Sequence, residues 1–528
     1  MSVCRKLLAA LLLLSALSSP ALAGDFIDTR ITFALSDDNL LVNAGKTNPS
    51  SPLPSFIPGA RSTLFFDNYN RRDTGFESLS HIVLYKKMPG FIPRLDTAAG
   101  LVVRMDYHLE RREFRLRDSG SYIDIQYDLG SNKKLGIRRN IQFTGFPLSS
   151  DRFRLGYSFD ISWGGDLTFP RRTLKSPVPG AKLQFNYDFD SKSGLTLFLG
   201  GKTGLLQQLV TQEQIEEETV YGALAGWGLR LGGFQWQGGA AYFNKGTFFN
   251  PSVKGEPVHF YGASTQLSYT HGMPIGVSID FRLYRNNPNQ PILFFKPENY
   301  SPGKFSFAVS SEVSYVVNMV EDPERTGGIV PLPGIAADLN FRMKYGYLRL
   351  HADVVFRDLG FILVNVPGIV PFQGFSKEQK LSPEFFAAVG ADYYFTASRV
   401  TIGLKLGVQM PATFQAVLPK EVTGNVAPGA LQGETIVVVR DEGDWVFVPV
   451  VDSKGNQNVI LPVFSAKANF KWQMSKFMAM VGELLFSIDN NTTRLQFKKG
   501  QVDGTVVTER VFDFPIQLGF NLMVQASF

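Results

Sequence analysis

The stretch Phe514-Pro-Ile-Gln-Leu-Gly-Phe-Asn-Leu-Met-Val-Gln-Ala-Ser-Phe528 reads with a period of two. Phe514, Ile516, Leu518, Phe520, Leu522, Val524, Ala526 and Phe528 form one set; Pro515, Gln517, Gly519, Asn521, Met523, Gln525 and Ser527 form the other. A β-strand sends alternate side chains to opposite faces, so this segment has one apolar face and one mostly polar or small face. It is also long. Strands of soluble sandwiches run about 5–6 residues, whereas a strand crossing a bilayer at a tilt needs about 9–11.

Working outward, the same alternation recurs. In 101–110 Leu101, Val103, Met105, Tyr107 and Leu109 oppose Val102, Arg104, Asp106, His108 and Glu110. In 152–163 Phe153, Leu155, Tyr157, Phe159, Ile161 and Trp163 oppose Arg152, Arg154, Gly156, Ser158, Asp160 and Ser162. Further copies run at 181–190, 277–285, 337–345, 348–357, 400–410 and 464–473, with weaker ones at 28–35, 61–68 and 290–296. Tight turns are expected near 190–194, 231–233, 271–274, 345–347 and 396–398. Longer connections are expected at 165–179, 202–216, 244–256, 318–333, 359–382, 411–457 and 489–511. Long alternating strands, aromatic residues near their ends, and short turns at one rim with long loops at the other predict an all-β fold. It is a single transmembrane antiparallel up-and-down β-barrel with an even strand number between 16 and 22. The 202–218 segment has helix-like composition, and 359–372 and 426–450 are candidates for loops folded inward.

The first 23 residues are a different kind of segment. Arg5 and Lys6 precede an apolar run from Leu7 to Ala16, and Ala21-Leu22-Ala23 supplies small residues. This is the pattern of a secretory signal peptide cleaved before Gly24, leaving 24–528 as one barrel domain with long extracellular loops. The single Cys of the 528-residue chain, Cys4, falls inside the signal. Disulfide scaffolds and cysteine metal sites are thereby excluded. A formal net charge of +6 over this length excludes a strongly basic nucleic-acid binder. No cofactor motif and no metal-ligand spacing is present. The five His residues accompany no nucleophile motif, so the sequence does not read as an enzyme.

In a barrel, the polar face of each strand lines a lumen. The basic candidates for that lining are Arg104, Arg152, Arg154, Lys182, Arg282, Arg342, Lys344, Arg349, Arg357, Lys405, Lys467 and Lys471. The acidic ones on the same strands are Asp106, Glu110, Asp160, Asp188, Asp190, Asp280, Asp338 and Asp353. A basic excess in a low-dielectric tunnel concentrates anions. Cross-strand salt bridging is the competing use of the same charges. Arg pairs at 111–112, 138–139 and 171–172 are rim candidates for lipopolysaccharide phosphates.

The final strand resembles the sorting signal of Gram-negative outer-membrane β-barrel proteins. The pattern falls on Gln517, Gly519, Leu522 and Val524, with Phe528 as its terminal aromatic. The resemblance implies an outer-membrane location after Sec-type export, with outer-membrane lipid, lipopolysaccharide and the barrel-assembly machinery as partners. It implies a porin-like channel passing small polar or anionic solutes or exporting a polymer. The alternative is a structural barrel of a surface adhesion, motility or secretion complex, with periplasmic or surface protein partners. No nucleic-acid partner is expected.

Overall fold

A computed structural model describes residues 28–37, 40–41, 81–108, 113–118, 120–132, 134–156, 161–169, 177–209, 215–248, 252–272, 304–364, 374–377, 379–415, 434–441, 444–475, 478–491, 493–499, 506–512 and 514–527. The signal segment and Phe528 lie outside them, as do 61–68, 277–285 with Arg282, and 290–296.

The strands follow in chain order. The first group is β1 (Asp28–Asp37), β2 (His81–Pro89), β3 (Leu95–His108), β4 (Glu113–Asp118), β5 (Tyr122–Asp128), β6 (Arg139–Phe146), β7 (Gly180–Asp188) and β8 (Ser193–Leu209). Next come β9 (Ile215–Leu231), β10 (Phe234–Thr247), β11 (Pro257–His271), β12 (Phe305–Glu321), β13 (Ile329–Tyr345), β14 (Leu348–Arg357) and the short helix α1 (Leu359–Val364). The rest are β15 (Leu381–Ser382), β16 (Glu384–Phe395), β17 (Val400–Met410), β18 (Thr413–Gln415), β19 (Thr435–Asp441), β20 (Asp444–Pro449), β21 (Val463–Trp472), β22 (Met478–Ile488), β23 (Thr493–Lys499), β24 (Val506–Phe512) and β25 (Ile516–Ser527).

Nineteen of these strands form one sheet. β4 and β5 pair with the two halves of β3 and share one place beside it. Eighteen places therefore run from β1 to β25, each antiparallel to the next. β1 pairs with β2 on one side and with β25 on the other, Phe33 facing Val524 and Leu35 facing Leu522. The ladder thus returns on itself, and closure removes the unpaired edges that lipid does not tolerate.

Two-faced strands explain the wall. On the outside Leu199, Leu205, Leu339, Val389, Leu404 and Phe464 are exposed. Aromatic residues bound this apolar zone. Phe305 and Tyr345 are paired near the short turns, and Tyr315 and Ile335 are paired ten residues higher. Ten residues at about 3.3 Å rise and a tilt of about 40° give an apolar belt about 25 Å tall. The Trp227 and Trp236 rings pack edge to face at 5.7 Å on this surface.

Short turns join β7 to β8, β9 to β10, β13 to β14 and β16 to β17. In the first of these, Asp190 accepts hydrogen bonds from the Lys192 and Ser193 backbone N–H groups at 2.6 and 2.7 Å, the geometry that fixes an Asx turn. Those N–H donors hold the Asp190 carboxyl below the usual carboxylate range.

Two sequence expectations are corrected. The 152–163 segment is no wall strand: β6 pairs directly with β7, and Leu155 and Trp163 make only an isolated bridge. The 202–218 segment is not helical; its described residues extend β8 and β9, which stay in register to Leu209 opposite Ile215. β11 pairs with β12, which begins at Phe305; the turn expected at 271–274 lies partly outside the described residues. The described part of 426–450 forms β19 and β20, which with β15 and β18 make a separate four-stranded sheet at the long-loop rim. Near the same rim α1 is wholly buried and packs against β12 and β13.

Candidate functional site: the inner wall and its inserted segment

Between β6 and β7 the described residues 147–156, 161–169 and 177–179 leave the long-loop rim, and 153–169 among them pack against the inner wall. Phe153, Leu155, Ile161, Trp163 and Phe169 form one buried apolar cluster with Leu224, Phe243, Phe260 and Val316 of the wall. Trp163 is completely buried, with its ring 5.3 Å from that of Phe260 and 6.4 Å from that of Phe243. The wall is cut to receive the segment. A side chain on Gly200 would run into the Phe153 ring, and one on Gly239 into Leu155.

Polar contacts fix the same segment. The Trp163 Nε1–H donates to Ser264 Oγ at 2.7 Å. Ser264 and Ser314 hydroxyls are 2.7 Å apart, and Ser314 donates to the Ile161 carbonyl at 3.2 Å. A hydroxyl has one proton, so Ser264 must be the donor to Ser314. The chain of donors runs from the segment through β11 and β12 and back to the segment. Asp166 accepts from Ser149 Oγ at 2.7 Å and Ser150 Oγ at 3.3 Å. Lys202 Nζ, buried on β8, donates to the carbonyls of Ser150 and Gly164.

Arg152 and Arg154, expected on a wall strand, belong to this segment instead. The Arg152 side chain lies against Gly120. Arg154 is tied back to its own segment: its Nε donates to the Asp151 carbonyl at 2.7 Å, and its guanidinium pairs with the Asp151 carboxylate.

The remaining basic candidates fall as follows. Lys182 on β7 stands 6.0 Å from the Phe153 ring and so shares the segment's side of the wall. On β13, β14, β16, β17, β21 and β22 the charges form paired rows. Arg349 Nη2 lies 2.6 Å from Asp392 Oδ2, directly across the ladder. Arg357 and Glu384, also opposite in register, pair with an Nε–Oε1 distance of 3.0 Å. Lys405 reaches over β16 to Asp353 at 2.6 Å, and Lys467 meets Glu483 at 2.9 Å. Arg342 and Lys344 stand on β13 opposite His351 and Arg349, with Lys344 fully buried. Lys471 lies on β21, beside Thr401 of β17. Arg104 lies on β3, in register with His81 and Arg117.

Glu312, Glu384, Asp392 and Glu483 were not among the acidic residues read from the sequence. Glu384 and Glu483 lie on strands the alternation did not single out; Glu312 shows itself only through β12's pairing with Asp338. With them Arg349, Arg357, Lys405 and Lys467 each have a carboxylate partner. Of the residues expected to form a sorting signal, Gln517 and Gly519 face Ser487 and Leu485 across the β22–β25 ladder, and Leu522 is exposed on the outer face.

The closed ring, the exposed apolar belt and the polar inner wall define a transmembrane β-barrel of the outer-membrane type. No protein-family model and no curated protein matches the chain. Solved structures similar to it include the outer membrane protein OpdK from Pseudomonas aeruginosa, at 7% identity and a TM-score of 0.40 over 95% of this chain and 98% of that chain. OccAB3 of Acinetobacter baumannii is similar at 8% identity and a TM-score of 0.40, with 95% and 98% covered. An anion-selective porin from Comamonas acidovorans is similar at 9% identity and a TM-score of 0.31, with 95% and 98% covered. No residue role is carried over from them.

Proposed function

We propose that the protein is an outer-membrane, porin-like channel for small polar solutes, narrowed by the described limbs of the inserted segment, 149–156 and 161–169. The observation that carries this reading is the closed eighteen-place ring whose inner rows hold Arg342, Arg349, Asp353, Asp392, Lys405, Lys467 and Glu483. A ring of about 16–18 strands is wider than its own side chains fill, and charged rows facing inward suit water rather than lipid. Charges paired in this way give a weak preference for anions at most. Arg349, Lys405 and Lys467 act together with Asp392, Asp353 and Glu483 as the lining. Reconstitution in planar lipid bilayers tests the reading. Stepwise conductance is expected; a folded, heat-modifiable barrel with no conductance overturns it.

The same reading includes export by a signal cleaved before Gly24 and assembly through the Gln517–Phe528 pattern. N-terminal sequencing of protein recovered from the outer membrane is expected to begin at Gly24. Deletion of Phe528 is expected to lower the amount assembled. Lipopolysaccharide and outer-membrane lipid would contact the outer belt.

One observation favours a second reading. The apolar cluster inside the ring, with Trp163, Phe243, Phe260 and Phe361, is a core rather than a water path. A structural barrel holding a periplasmic or surface partner would use such a core. A stable co-purifying partner together with zero conductance would select it.

A further inference from the structure

Lys202, on β8 and against the inserted segment, carries a fully buried charge, its side chain 0% exposed. Its Nζ donates to the carbonyl of Ser150 at 3.0 Å and to that of Gly164 at 2.9 Å, and stands 4.0 Å from Asp166 Oδ1. An ammonium has three N–H donors; of these three partners the two carbonyls are at hydrogen-bonding distance and Asp166 is a countercharge. Two of the three are backbone carbonyls from the two ends of one loop, 150–164. Between those ends Leu155 and Trp163 form their antiparallel bridge, closing the loop on itself.

We propose that Lys202 is the positioning residue of the inserted segment: one buried ammonium ties its described limbs, 149–156 and 161–169, to β8 and holds them against the inner wall. The proposal rests on the channel reading. Its physical basis is that a buried ammonium is stable only when fully paired. If the segment lifts, Lys202 loses both carbonyl acceptors and its countercharge together, so segment and ammonium hold or release together. The contacts on either side act in the same sense. Phe153 lies under the ammonium at 5.7 Å, an arrangement that favours a cation over the ring. Asp166 is in turn oriented by Ser149 and Ser150, and its N–H donates to Asp151 Oδ1 at 2.9 Å. The Trp163–Ser264–Ser314 chain pins the far limb of the loop, but to β11 and β12. Lys202 joins both limbs of the loop to one strand, β8.

The test uses the full-length barrel carrying Lys202→Met, which keeps the length of the stem and removes the donors. Single-channel conductance is expected to change by at least about twofold, with added open-channel noise, since the narrowest cross-section sets both. In sealed vesicles a protease is expected to cut within 147–179 faster than in the wild type, while heat-modifiability is retained. A Lys202→Met barrel with wild-type conductance, noise and cleavage overturns the proposal. If Lys202→Met does not assemble, Asp166→Asn serves: it keeps both carbonyl bonds and removes the countercharge. A smaller change of the same sign is expected, and no change overturns the proposal. A wild-type barrel without conductance would sink the channel reading, and the cleavage comparison would still decide the role of Lys202.

Discussion

Trp163 and Ser264 are joined by a 2.7 Å hydrogen bond across 101 residues of sequence, from the indole N–H of the inserted segment to a hydroxyl on β11. Because Ser264 passes its own proton on to Ser314, the bond is one link in a directed chain that ends on the Ile161 carbonyl. Ser264→Ala leaves a buried indole N–H without an acceptor and is expected to cost about 1–3 kcal/mol. Trp163→Ala empties the centre of the cluster and is expected to cost about 3–5 kcal/mol. Urea unfolding in lipid vesicles measures both; equal stability of wild type and Trp163→Ala would show that the segment is not held by this contact.

The Arg357–Glu384 pair has both side chains nearly covered, at 7% and 2% exposure. Glu384→Ala strands a buried guanidinium and is expected to destabilise by about 3–5 kcal/mol. The double variant Arg357→Met/Glu384→Leu removes both charges and is expected to recover most of that loss. A double-mutant cycle on vesicle unfolding checks it; additive losses would show that the two residues do not interact.

Much of this wall was legible in the sequence, and the reason is physical. Strands β14, β17, β21 and β25 separate lipid from water, so their ends fall close to the alternating runs, whereas β13 starts at Ile329, within a stretch expected to be a long connection. The inserted segment has the same alternation but was misplaced. Period two reports that neighbouring residues face opposite ways; it does not report which medium each face meets. Phe153, Leu155, Ile161 and Trp163 meet the inside of the barrel. The signals that could have told the difference are local: Gly156 and Gly164 have positive φ, and glycine at both limbs suits a folded loop better than a long strand. At 202–218 the Gln- and Glu-rich composition favours a helix, yet cross-strand pairing from Ser193 to Leu209 overrides that preference. Lys202 gave no signal, because its partners are backbone carbonyls, which any sequence supplies.

Val389 lies in the middle of β16 on the outer face and is 60% exposed. Val389→Arg places a cation against the lipid core and is expected to cost about 2–4 kcal/mol. Gln409 on β17 faces the opposite side; Gln409→Arg is expected to cost far less. Folding yield and unfolding midpoints in vesicles compare them, and equal penalties would contradict the assignment of faces.

Asp358 ends β14 and starts α1. Its Oδ1 accepts from the Phe361 N–H at 2.8 Å and its Oδ2 from the Ile335 N–H at 2.9 Å. Burial pushes its carboxyl above the ordinary carboxylate range, outweighing the two hydrogen bonds that pull it down. A raised folded-state pKa gives a stability contribution that is complete below the unfolded value near 4. That contribution is lost as pH rises through the raised value. Asp358→Asn keeps an acceptor for the cap without the charge, so its stability is expected to vary less with pH than that of the wild type. Asp358→Ala removes both acceptors and is expected to cost about 0.5–2 kcal/mol. Unfolding midpoints taken from pH 4 to pH 8 check the sign; a wild type that gains stability relative to Asp358→Asn over that range would contradict it.

The Lys467–Glu483 pair gives the lining a test with two signs. Lys467→Gln leaves the carboxylate uncompensated and makes the local potential more negative, whereas Glu483→Gln does the reverse. One unit charge about 6 Å from a passing ion in water is worth about 0.7 kcal/mol, so each change is expected to alter the anion-to-cation permeability ratio by about threefold or less. Reversal potentials under a salt gradient measure it. Lys467→Gln is expected to move the ratio toward cations and Glu483→Gln toward anions, both effects shrinking as salt is raised because screening shortens the reach of a fixed charge. Shifts of the same sign in both variants, or none in either, would remove this row from the ion path.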